Sequence, residues 1–313
     1  MSKIPDGFKE LVERILKEDP FEKRVLPNNT KEIWNNFTWH IFLTEDRNIA
    51  QVSFIHNSLL PTGILDLELV YEMERKEWIE KFKKEVEKTI KNLSGIKYNI
   101  MKTTISDEQL EEMSTSIKDL SIFFKNNNVN KKFLLEKTKN DVAIGNFIVE
   151  MASAKHPNHI RYIGFTKSVL WLNHFGLALN FCPNSRQVKN FIEEDMGETI
   201  ETKSYYKGSR IKVEADADEY TFFVFQGKIR KFKEDLQIFM KNHITVRDVQ
   251  LAIWYYKTAQ SLLSNTHFRK KLTPKMLLDY FDARKMTLDD FDDKINNIDE
   301  IDDLREDLKQ FVQ

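Results

Sequence analysis

Cysteine is nearly absent: Cys182 is the single thiol in 313 residues. That excludes an internal disulfide, a cysteine-built zinc site and a four-cysteine iron–sulfur cluster, and it points to a reducing compartment. Glycine and proline are scarce too, at 9 and 7 residues, which disfavours turn-rich β architectures. No apolar run reaches the ~18 residues a membrane span needs. Residues 1–20 are amphipathic and charged, unlike a signal peptide. A cytoplasmic protein with no membrane partner is the expectation. Phosphate and nucleophile motifs are also missing. There is no G-x-x-x-x-G-K-[ST], no G-x-G-x-x-G and no G-x-S-x-G, so no nucleotide cofactor and no α/β-hydrolase chemistry is expected. His156 and His159 flank Pro157 without an H-E-x-x-H or carboxylate pattern, and they read as loop histidines rather than metal ligands. Neither metal nor any other cofactor is expected. Excess charge is lacking as well: 48 basic and 49 acidic residues leave a net charge of -1. Any case for nucleic acid therefore rests on where the charges lie.

What is present favours an all-α fold. Charged residues make up 31% of the chain and phenylalanines number 23, a composition suited to helices with aromatic cores. Residues 8–17 carry Phe8, Leu11, Val12, Ile15 and Leu16 on one stripe, and residues 30–48 place Ile33, Trp34, Phe37, Ile41 and Phe42 on a wide apolar face. A helix over 50–60 ends at Pro61-Thr62-Gly63. Residues 68–93 read as one long helix with a solvated charged face. The S-D-E-Q at 106–109 is a capping-box pattern for a helix to 126, and shorter helices follow at 131–138 and 140–154.

Residues 157–192 read as a helix end, a tight turn, a helix over 168–179, a second turn and an apolar helix over 188–192. Within them, residues 160–168 are Ile-Arg-Tyr-Ile-Gly-Phe-Thr-Lys-Ser. They resemble the helix-hairpin-helix of the DNA glycosylase superfamily, whose hairpin reads L-x-G-[IV]-G-x-K-x-A. Ile163-Gly164 is kept, and Tyr162 stands where the family has its first glycine. Downstream, Phe175-Gly176, Pro183 and the apolar helix over 188–192 fall at family spacing.

The resemblance implies that double-stranded DNA is the partner, bound by a monomer through Tyr162, Ile163, Gly164, Phe165, Thr166, Lys167, Ser185 and Arg186. A glycine turn between helix ends would present backbone N–H groups to a phosphate. The family's catalytic Asp, in P-[IV]-D-[ST]-[RH]-V, falls on Asn184 by gapless counting, followed by Ser185 and Arg186. The lysine of bifunctional members falls on Thr166. A register shifted by one puts Lys167 at that lysine and Ser185 at the Asp, so neither register supplies both groups. Catalytic candidates are thus Asn184, Thr166 and Lys167. An uncharged Asn leaves three explanations: a relative that has lost base release, use of another carboxylate among Glu193, Glu194 and Asp195, or an inactivated form. The turn Leu43-Thr44-Glu45-Asp46-Arg47-Asn48 resembles the family's Leu-[ST]-x-Gln turn but lacks the Gln, and residues 247–256 resemble its closing helix.

On that resemblance, residues 1–140 are N-terminal helices of a glycosylase-like fold with an insertion, and 141–197 hold the hairpin and catalytic loop. Residues 198–287 form a basic loop or short hairpin plus packing helices, and 288–313 form an acidic tail. The loop carries Lys203, Tyr205, Tyr206, Lys207, Arg210 and Lys212, a set that fits backbone contact and base stacking as well as a plain surface loop. The acidic residues of 288–307 fit either a packed helix facing the basic residues of 266–275 or a detachable segment competing with DNA. The function expected is a base-excision glycosylase. The alternatives are a non-catalytic DNA-structure binder on the same scaffold and a helical interaction protein.

Overall fold

Short polar side chains begin most of the helices, each accepting a hydrogen bond from a first-turn N–H that has no intrahelical acceptor. The computed structural model describes residues 3–19, 25–43, 49–94, 105–200, 204–207, 210–213, 215–264, 272–297 and 300–312. The turn at 44–48, Lys203, Gly208 and the basic residues 266–271 lie outside them.

Helix α1 spans Phe8–Glu18. Asn29 accepts from Lys31 N to open α2 (Thr30–Phe42). Helix α3 (Ile49–Leu59) runs into a 3-10 turn, Leu60–Thr62, and stops at Gly63 in the left-handed conformation. Asp66 caps α4 (Leu67–Glu72), which is followed by α5 (Arg75–Ser94). The expected capping box of Ser106 and Gln109 starts α6 (Asp107–Asn126). Asn130 caps α7 (Lys131–Lys137), and Asn140 caps α8 (Asp141–Ala152). Next come α9 (Phe165–His174), α10 (Arg186–Asn190) and a π-helical turn, Phe191–Asp195. The basic stretch folds as an antiparallel hairpin of β1 (Ser204–Lys207) and β2 (Arg210–Val213), with Ser204 opposite Val213. The chain closes with α11 (Ala215–Gln237), α12 (Val246–Ser264), α13 (Pro274–Arg284), α14 (Leu288–Asn296) and α15 (Ile301–Val312). Apart from that one hairpin, the described residues form an all-α fold. None of their helices is long and apolar enough to cross a membrane.

The helices gather into two compact units. One is Leu26–Trp171, with an aromatic core. The Trp171 ring stacks on Phe37 at 3.9 Å, Trp34 meets Phe124 edge-on at 5.3 Å, and Trp78 stacks on Phe82 at 5.1 Å. Each such buried ring contributes about 2–3 kcal/mol of hydrophobic free energy. The other unit joins Met1–Val25 to Leu172–Gln313. There α1 lies against α12 and α13, with Phe8 packed on Phe191 at 5.1 Å and Phe232 at 5.4 Å. The C-terminal segment contributes its apolar residues to this core. Leu288, Phe291, Ile295, Leu304, Leu308 and Val312 are buried, Tyr255 donates to Asp292, and Tyr280 and Arg284 both donate to Asp307.

Three helices differ from the sequence expectation, the first being the one expected over 30–48, which ends at Phe42 with Leu43 extended. Helix 168–179 instead runs Phe165–His174, because Gly176 at φ 70 turns the chain out of helical geometry. The single long helix expected over 68–93 is two, interrupted at Met73, whose backbone is extended. A buried cation on another helix accounts for the break. Lys118 of α6, 5% exposed, donates to the carbonyls of Val70, Tyr71 and Met73 at 2.6, 2.8 and 2.6 Å. It caps the C-terminal end of α4, where freed carbonyls and the helix dipole favour positive charge. Burial, helped by the charge of Arg75 and opposed by that of Glu74, lowers the Lys118 pKa from its usual value. Lys118→Met should leave three carbonyls, one buried and two part-buried, without their charged donor and cost about 3 kcal/mol. A urea titration should show the lower midpoint with an unchanged slope.

Candidate nucleic-acid interface

Beyond α8 the chain enters the predicted hairpin through a series of tethers, all within the Leu26–Trp171 unit. Ile160 N donates to Met151 O at 3.0 Å, and Ile163 N returns to Ile160 O at 3.1 Å, closing a four-residue turn. Its third residue, Tyr162, has φ 63. Positive φ at that place is a type II turn requirement normally met by glycine, and an L side chain there costs about 1–2 kcal/mol. The buried side chains of Ile163 and Phe165 flank Gly164 and seat the turn on the core. A Cβ built on Gly164 would meet nothing within 4 Å, so the space above it is open. The Gly164 carbonyl accepts from Ser168 N and Ser168 Oγ, both at 3.2 Å, as α9 begins.

Helix α6 holds the turn from below. Ser116 Oγ donates to Arg161 O at 2.8 Å, while Asp119 accepts from Arg161 Nε at 2.7 Å and Nη2 at 3.1 Å. Arg75 Nη2 reaches the same carboxylate at 2.6 Å. Burial alone would raise the Asp119 pKa, but hydrogen bonds from Arg161 and Arg75 outweigh it and hold the carboxyl below its ordinary value. A depressed carboxylate stabilises the fold at neutral pH, and that contribution fades as pH falls below the usual carboxylate range. Glu150 supplies a further tether, accepting from Asn158 at 2.6 Å and Lys137 at 2.5 Å. Thr166 and Lys167 are half-buried in the first turn of α9, and the Lys167 ammonium donates to Ile41 O at 3.0 Å, near the C-terminal end of α2.

Asn184, Ser185 and Arg186 belong to the other unit. Both backbone polar groups of buried Cys182 bond to one side chain, that of Gln226 on α11. Cys182 N donates to Gln226 Oε1 at 2.8 Å, and Gln226 Nε2 donates to Cys182 O at 2.7 Å. Arg230 donates to Asn180 O at 3.2 and 3.1 Å, Asn173 to Phe181 O at 3.1 Å, and Arg247 N to Leu179 O at 2.9 Å. So held, the loop delivers Asn184, half-buried, to the start of α10, where Ser185 Oγ accepts from Val188 N at 3.4 Å and Arg186 is exposed. Burial pushes the Cys182 thiol far up, which keeps it neutral and unreactive. Of the three acidic neighbours, Glu193 is exposed beside Lys189, whereas Glu194 and Asp195 share Lys257 at 2.9 and 2.5 Å, and Tyr256 donates to Asp195 at 3.1 Å.

No protein-family model matches this sequence, and no curated protein matches it. Among solved structures, it is similar to the 8-oxoguanine glycosylase/lyase of Methanocaldococcus jannaschii, in complex with a 15-mer DNA containing 8-oxoguanine. The likeness spans 80% of this chain and 96% of that one, at 14% identity and a TM-score of 0.45.

Several residues that shape these loops carry no motif in the sequence: Asp119, Lys118, Glu150, Gln226 and Arg230. A faint signal exists in α6, where Ser114, Lys118 and Ser121 interrupt the stripe formed by Leu110, Ile117, Leu120 and Phe124. Polar side chains on a buried face need partners, and here the partners are backbone carbonyls. Gln226, 2% exposed, is the corresponding anomaly in α11. Gln226→Leu should leave the Cys182 N–H and C=O unsatisfied and speed exchange of the Cys182 amide about ten- to hundredfold. Hydrogen exchange resolved to residues 179–185 measures this directly.

Proposed function

We propose that this chain binds duplex DNA through the hairpin of residues 160–168, as a DNA glycosylase-like protein that extrudes a damaged base for cleavage of its N-glycosidic bond. The backbone of Tyr162 carries the proposal. Where the family's motif has a glycine, this chain has a tyrosine, yet the left-handed turn that glycine serves is retained at φ 63. Retaining a strained turn without the residue that makes it easy supports a role for the turn's shape. Open space at Gly164 supports close approach of a phosphate to the backbone.

Base release demands more than binding. An extruded nucleotide passes through an oxocarbenium-like sugar, which a nearby carboxylate stabilises, and bifunctional members add a neutral lysine amine as nucleophile. Asn184 brings no charge. Lys167 donates to Ile41 O as a helix cap, and Glu194 and Asp195 are both paired with Lys257. These engagements favour a second reading, a DNA-structure binder on the same scaffold that does not release a base.

Gly164→Phe should fold, since nothing occupies the space ahead of its Cβ. DNA affinity should nevertheless fall about tenfold, a loss of ~1.4 kcal/mol, with helical circular dichroism unchanged. Unchanged affinity, or wild-type binding that does not weaken with salt, would leave a helical interaction protein as the better reading. Asn184→Asp, assayed on a panel of lesion-bearing duplexes, should raise release of free base about tenfold or more with little change in binding. If neither form releases a base while both bind, the non-catalytic binder stands. A wild type that cleaves well and is slowed by the substitution places the chemistry on another group.

A further inference from the structure

The Tyr162 side chain is 53% exposed, and the ring makes no aromatic or cation–π contact among the described residues. Its left-handed backbone carries a steric penalty that no ring stacking or cation–π contact among the described residues offsets. Glycine at that position would remove the penalty, so the side chain is retained against stability. Beside it, Arg161 is fixed in orientation by two bonds to Asp119, a carboxylate that also takes one bond from Arg75. Arg161, Arg75 and Asp119 together carry one net positive charge, and Arg161 holds its place in that group directly beside Tyr162 in the chain. An exposed ring with a fixed neighbouring cation matches the chemistry of an unstacked nucleobase and its flanking phosphate, because every base has a π-face and stacking needs no sequence-specific hydrogen bonds.

We propose that the Tyr162 side chain, projected by the strained turn and flanked by Arg161, is a stacking platform for an unpaired nucleobase. This rests on the DNA-binding reading above and adds a preference for DNA with a displaced base. It assigns to the side chain a role that the turn's backbone alone does not have.

The test compares a short perfect duplex with the same duplex carrying one unpaired thymidine, using wild type, Tyr162→Gly and Tyr162→Phe. Wild type should bind the unpaired-base duplex more tightly. Tyr162→Gly should lose about tenfold more affinity for that duplex than for the perfect one, with a melting temperature equal to or above that of wild type. Tyr162→Phe should retain the preference, since the ring supplies the contact. Equal losses on both duplexes, no loss on either, or a melting temperature several degrees lower in Tyr162→Gly would overturn the proposal, the last by making the side chain structural. A Tyr162→Phe variant as weak as Tyr162→Gly would also overturn it, because the hydroxyl would then be the contact. If wild type binds neither duplex, the DNA-binding reading itself fails, an outcome distinct from the others because no variant difference remains to interpret.

Discussion

Two adjacent charged residues on α6, Lys118 and Asp119, organise the Leu26–Trp171 unit. Lys118 points into the carbonyl end of α4 and makes a break where apolar periodicity predicts continuous helix. Asp119 reaches Arg75, at the start of α5 just past that break, and Arg161 in the hairpin. The hairpin and the broken helix are therefore anchored to the same turn of α6. Charged groups this buried are costly to desolvate and are kept only when well bonded, as both are here. The result is a turn whose backbone is held from several sides, so that it tolerates a tyrosine in a conformation that glycine would occupy more easily.

The second unit solves a similar problem with neutral groups. A loop that leaves α9 at Gly176 must cross a buried region before α10 begins, and its peptide groups need partners inside. The Gln226 amide, with one donor and one acceptor suitably spaced, satisfies both sides of Cys182 as a neighbouring strand would. Arg230 and Asn173 bond the two carbonyls before it. Position 184 is consequently delivered by a rigid approach, although the residue delivered is an uncharged amide. Lys257 pairs with two of the acidic residues that follow, Glu194 and Asp195.

Local signals determined much of the fold from sequence alone. The capping box of Ser106 with Gln109, the apolar stripe of α1 and the breakers Pro61 and Gly63 are short-range effects, and each element they predict is present. The all-α class followed from the same signals, and a two-stranded pairing for the basic stretch was one of two alternatives open there. Only tertiary structure decided the break at Met73, since no residue near it is a helix breaker and its cause, Lys118, lies 45 residues away. It also decided that the acidic residues after 288 clothe two packed helices, because burial of Leu288, Phe291, Leu304 and Leu308 depends on partners distant in sequence. At the hairpin, sequence indicated the turn by Ile163-Gly164 but could not tell whether Tyr162 preserved or abolished it. The left-handed backbone answers that, and it is enforced by Ser116, Asp119 and the buried side chains of Ile163 and Phe165, contacts that sequence spacing does not encode.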